Sequence, residues 1–124
     1  MLKERGNLAK GVVLIDFGIA GLMQNPHERC EEGTIRYVPP ELLTGASYTP
    51  DYSFDVWSFG VLLYRLVYGA FPFDGPTFND IKQSIIKDPL SLPMHELLSD
   101  TCLTLIKLML NKDRKQRPKL HQLV

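Results

Sequence analysis

Residues 54–68 carry apolar side chains on nearly every face of the helix that the stretch predicts: Val56, Trp57, Phe59, Val61, Leu62, Leu63, Leu66 and Val67. Gly69 and Pro72 bound it on the C-terminal side. A helix that is apolar all round belongs at the centre of a fold rather than on its surface. The rest of the chain must therefore cover one central rod on every side.

The flanking segments supply candidates for that cover. Phe78, Ile81, Ile85 and Ile86 recur at helical spacing and predict an amphipathic helix. Leu103, Ile106 and Leu110, with Cys102, Leu105 and Met109 beside them, predict another, capped by Ser99 or Asp100. Pro40–Leu43 suits one helical turn ending near Gly45, and residues 47–53 read as a loop. Pro118 fits the first position of a last helix, which stops with the sequence at Val124. Before these, Val12-Val13-Leu14-Ile15 is a short β-branched run that reads as a strand delivering Asp16 at its end. Residues 19–32 read as a strand remnant followed by a loop. The expected fold is mainly α, with a short β remnant at the N-terminus.

Composition narrows the class of partner. Of 124 residues, 14 are basic and 14 acidic, which leaves no charge excess to recommend nucleic acid or an anionic membrane. No apolar run is long enough to span a bilayer, and Met1–Gly6 lacks the apolar core of a signal peptide. Two cysteines, Cys30 and Cys102, make neither a disulfide framework nor a metal-ligand spacing. An intracellular protein, cytoplasmic or nuclear, is expected.

Four motifs carry the chemistry, in order: Asp16-Phe17-Gly18, Gly33-Thr34-Ile35-Arg36-Tyr37, Pro39-Pro40-Glu41, and Asp55-Val56-Trp57-Ser58-Phe59-Gly60. In this order and rough spacing the chain resembles a eukaryotic-type Ser/Thr protein kinase catalytic domain, specifically the large lobe from the D-F-G motif onward. The resemblance runs from about Val12 to Val124. It divides the sequence into a strand remnant with D-F-G (1–20), an activation segment (19–41) and a helical large lobe (54–124), together a partial kinase domain.

What the resemblance implies can be stated residue by residue. Asp16 would bind the Mg²⁺ that bridges the ATP phosphates, with Gly18 letting the backbone turn beside it. Phe17 would pack against the regulatory helix of the small lobe. Gly33, Thr34 and Tyr37 would shape the substrate-facing loop, in the pattern of Ser/Thr-specific rather than tyrosine-specific enzymes. Pro39 stands where the family usually has Ala. No Ser, Thr or Tyr lies between Gly18 and Gly33. Cys30 occupies the place of an activating phosphothreonine, and Glu31 and Glu32 are either weak stand-ins for phosphate or plain solvated charge. Glu41 and Arg117 match a buried ion pair that ties the activation segment to the late helices. Asp55 would anchor the catalytic loop through backbone N–H groups, or else act as an ordinary carboxylate at a helix N-terminus. Trp57 belongs to the same central-helix motif, in a structural role.

Other kinase parts have no counterpart. Residues 1–15 contain no Asp, no His and no G-x-G-x-x-G, so no catalytic residue is assigned. Phosphoryl transfer is mostly positioning and electrostatic stabilisation, and the chain alone is expected to be inactive and to bind neither ATP nor Mg²⁺. Three readings follow. The chain is part of a Ser/Thr kinase; or it is a non-catalytic docking module using the substrate-facing loop and the 77–87 helix; or it is a split enzyme completed by a small-lobe partner. With the central helix short of cover, a marginal, self-adhesive monomer is expected.

Overall fold

The computed structural model describes residues 35–45, 49, 51–96 and 98–123. The expected strand at Val12–Ile15, the residues Asp16, Phe17, Gly18, Gly33 and Thr34, and the Cys30-Glu31-Glu32 run lie outside them.

Every described element is helical. A 3₁₀ turn at Ile35–Tyr37 leads into α1 (Pro40–Leu43). Pro39 enters in an extended conformation and Pro40 takes the first turn, where a missing N–H breaks no helical bond. The Thr44 hydroxyl donates to the Glu41 carbonyl (3.1 Å) and Gly45 follows with φ +70°, which ends the turn.

The central helix, α2, spans Ser53–Tyr68. The Asp51 carboxylate accepts from the Ser53 N–H (2.8 Å) just before it, and Gly69 closes it at φ +69°, donating to the Arg65 carbonyl. Val56, Trp57, Gly60, Val61 and Tyr64 are buried. Phe59, Leu62 and Leu66 are exposed at spacings of three and four, a continuous stripe. The all-round apolar sequence thus gives a helix buried on one side and open on another.

Helix α3 (Phe78–Lys87) starts at Thr77, whose hydroxyl accepts from the Asp80 N–H and bonds the Asp80 carboxylate. It turns Ile81, Ser84 and Ile85 inward. Helix α4 (Asp100–Met109) is capped by Ser99, which accepts from the Cys102 N–H at 3.2 Å. Ser99, and not Asp100, is therefore the cap. Packing of α4 on α2 is close at Gly60, where an added Cβ would lie 2.9 Å from Met109 Cβ and 3.0 Å from Leu110 Cδ2.

The tail differs from expectation. Pro118 does not open an α-helix. Two 3₁₀ turns, Arg114–Gln116 and Leu120–Gln122, flank it. The Gln122 side chain accepts from the Lys119 N–H at 2.8 Å while the Gln122 N–H donates to the Lys119 carbonyl. These reciprocal bonds start the last turn at Leu120, two residues late, and hold it at three-residue spacing.

The core gathers Ile35, Trp57, Val61, Phe73, Ile85, Ile106 and Leu110 around α2. Trp57 and Phe73 stack with centroids 5.7 Å apart and planes 8° from parallel. Burying each such aliphatic or aromatic side chain stabilises by roughly 1.5–3 kcal/mol. Among the described residues no helix is long and apolar enough to cross a membrane.

Candidate functional site

The Ile35–Tyr37 turn is fixed from three directions. Ile35 is fully buried in the core. The Ser58 hydroxyl of α2 donates to the Tyr37 carbonyl at 2.8 Å. Arg36 places Nε and Nη2 on one oxygen of Asp74, at 2.9 and 2.8 Å, and the same oxygen accepts from the Gly75 N–H.

Around Phe71 the turn meets the end of α2. Tyr37 packs edge-on against the Phe71 ring at 5.7 Å. The guanidinium groups of Arg36 and Arg65 lie 5.1 and 4.5 Å from that ring's centre. Arg65 also donates to the Tyr37 hydroxyl at 3.1 Å. Sequence patterning does not mark Arg65, Phe71 or Asp74 as site residues, and it places Ser58 only as a member of the central-helix motif. Helical periodicity marks Arg65 as the polar interruption in an apolar run, but its contact with Tyr37, 28 positions away, exists only in the fold.

Directly after the turn, Glu41 of α1 meets Arg117. Nη1 reaches Oε1 at 2.7 Å and Nη2 reaches Oε2 at 2.8 Å, a two-pronged pair with the Arg117 side chain fully buried. Arg117 further donates to the carbonyls of Asn111 (2.8 Å) and Ser53 (3.1 Å), and its guanidinium lies 4.9 Å from the centre of the Trp57 ring. One side chain thereby joins α1, the start of α2 and the turn after α4. Asp55, by contrast, is exposed and has no hydrogen-bond or ion-pair partner among the described residues.

Two further charges are perturbed. Burial pushes the Asp51 carboxyl up, but bonds from Ser53 and the charges of Arg114 and Arg117 outweigh it and hold it below its ordinary value. Arg114 reaches Asp51 at 3.1 Å. Desolvation lowers the Lys112 ammonium, against the opposing pull of Asp88. Its Nζ donates to the carbonyls of Ser84 (3.2 Å) and Ile85 (2.6 Å) at the end of α3 and sits 4.2 Å from the Phe73 ring centre.

A cleft of about 710 Å³ opens between the start of α2 and the tail, lined among others by Tyr52, Val56, Arg114 and Leu120. None of the Ile35–Tyr37 residues line it. Among the described residues no group of three or more His, Cys, Asp or Glu is placed to hold a metal ion.

Comparison with known proteins identifies the setting of these groups. The family model described as "Protein kinase domain" matches residues 1–124. Sperm motility kinase Z of Mus musculus is 33% identical over 120 residues, covering 95% of this chain and 22% of that protein. Serine/threonine-protein kinase Aurora-1 of Arabidopsis thaliana is 36% identical over 92 residues, 74% of this chain and 31% of that protein. Serine/threonine-protein kinase kin-29 of Caenorhabditis briggsae is 40% identical over 101 residues, 80% of this chain and 12% of that protein. The chain thus spans a third or less of the length of these relatives. With the match running through the turn, the ion pair and the central helix alike, the chain belongs to the protein kinase domain family.

Proposed function

We propose that these residues form the substrate-facing part of the large lobe of a Ser/Thr protein kinase, which transfers the γ-phosphate of ATP to serine or threonine in a protein. The observation that carries this is the family match over residues 1–124, joined to relatives named as serine/threonine kinases. Asp16 would hold a Mg²⁺ ion, which when bound would supply neutralisation of charge on the ATP phosphates. Phe17 and Gly18 belong to the same loop; Gly33, Thr34 and Tyr37 face the protein substrate. Glu41, Arg117, Asp55 and Trp57 are structural. The site works in the cytoplasm or nucleus, together with an ATP-binding small lobe.

The 124 residues taken alone are inactive in this reading, because residues 1–15 offer no aspartate to serve as base and no glycine-rich phosphate loop. The docking alternative, through the substrate-facing loop and the 77–87 helix, draws little apolar surface from the helix itself. The apolar face of α3 packs inward through Ile81 and Ile85, leaving Phe78 as its exposed large apolar side chain.

An antibody to residues 78–94 provides the test. The captured protein, given Mg²⁺ and γ-labelled ATP, is expected to label substrate on serine or threonine, and Asp16→Ala is expected to abolish the label. Label on tyrosine, or activity indifferent to Asp16→Ala, would refute the assignment.

A further inference from the structure

Four arginines lie among the described residues, and three of them hold a carboxylate: Arg36 on Asp74, Arg114 on Asp51, Arg117 on Glu41. Arg65 holds none. It is exposed, yet its head group is held at two points, the Phe71 ring at 4.5 Å and the Tyr37 hydroxyl at 3.1 Å. A guanidinium offers five N–H donors, and the Tyr37 hydroxyl takes one of them.

The neighbouring charges sharpen the point. Arg36 and Arg65 both lie within 5.1 Å of the same ring centre, and Asp74 is the acid in this cluster. The Asp74 oxygen that faces Arg36 already accepts from Nε, Nη2 and the Gly75 N–H. Among the described residues the cluster is left with a surplus of one positive charge. Two cations sharing one ring repel each other until an anion arrives between or beside them.

We propose that Arg65, oriented by Phe71 and Tyr37 and backed by Arg36, is a specificity-determining residue that takes an anionic side chain of the bound protein segment. This rests on the reading that residues 33–37 face the substrate. Tyr37 ends that loop and is the residue Arg65 touches, so a peptide along the loop passes within reach of the guanidinium. A planar fork that is already oriented loses little freedom when it closes on a carboxylate or phosphate. The ligand is an aspartate or glutamate, or a residue already carrying phosphate.

The test uses the full 124-residue chain, in a buffer with an excluded osmolyte to favour the folded state, and short labelled peptides around a central serine. Glutamate is walked through the peptide, and each peptide has a glutamine, a lysine and a phosphoserine counterpart. At one or two positions glutamate is expected to bind about tenfold tighter than glutamine, an advantage that shrinks as salt is raised. Arg65→Gln, with an unchanged circular dichroism spectrum, should erase the advantage. Arg65→Glu should invert it in favour of lysine at the same position, which mere loss of packing would not do. Phosphoserine binding tighter than glutamate assigns a phosphate ligand; the reverse assigns a carboxylate.

Peptides that bind with no preference between glutamate and glutamine would overturn the inference and leave the substrate-facing reading standing. A preference that survives Arg65→Glu would overturn the assignment to Arg65. Failure of every peptide to bind would remove both.

Discussion

Arg117 closes both terminal nitrogens on the two oxygens of Glu41, 76 positions earlier in the chain, with its own side chain fully buried. The pair stabilises what surrounds it only while both members are present, because either charge left alone loses its counter-ion in a largely desolvated setting.

Glu41→Gln or Arg117→Met should each destabilise the chain by about 3–5 kcal/mol. The double replacement Glu41→Gln/Arg117→Met should cost less than the two single changes added together. Urea denaturation of the four proteins measures the coupling, and strict additivity would contradict it.

Gly60→Ala sets two effects against each other. Helix propensity favours alanine by about 1 kcal/mol. Overpacking against Met109 Cβ at 2.9 Å and Leu110 at 3.0 Å opposes it by about 1–3 kcal/mol. Because the Met109 contact is at Cβ and cannot rotate away, a net loss is expected, seen as a lower melting temperature.

Leu66 is 73% exposed while Ile106 is fully buried. Leu66→Lys should change stability by no more than about 0.5 kcal/mol, and Ile106→Ala should cost about 2–5 kcal/mol. Breaking the Phe59–Leu62–Leu66 stripe in this way should also lower self-association, read by sedimentation.

For Lys112 the sign follows from proton binding. Its folded-state value lies below the ordinary 10.5, so over that interval the unfolded chain binds more protons and stability rises with pH. Tyr64, raised by burial and by Tyr68, works in the opposite direction above 10.0. Comparing the chain with Lys112→Met cancels the tyrosine effect. The advantage of the lysine form should grow as pH is raised toward 10.5, and a flat or falling difference would contradict the assignment.

The helices were legible because each is written locally. Thr77 and Ser99 cap their helices through their own side chains, and Gly69 ends α2 in a left-handed conformation. The mainly helical character followed from the same patterns, and the kinase-type fold from the resemblance carried by the four ordered motifs. Which face of α2 lacks cover was not legible, since Phe59 and Val61 are equally apolar and only packing distinguishes them. Pro118 misled because its fixed φ suits a helix start, whereas the Gln122–Lys119 bonds decide where the turn begins. The Arg36–Phe71–Arg65 cluster was out of reach altogether, joining residues from three separate segments that no spacing rule connects.

Trp57 is the sole tryptophan of the chain. Its indole is fully buried, stacked on Phe73 and overlain by the Arg117 guanidinium, and its Nε1–H has no hydrogen-bond partner among the described residues. A buried indole beside a fixed positive charge has an emission colour set by that charge and by its exclusion from bulk solvent. The molecule therefore carries a built-in optical gauge at the junction of α1, α2 and the tail. Any event that opens the clasp between Glu41 and Arg117 should reach the spectrum before it reaches the helices, with no label attached.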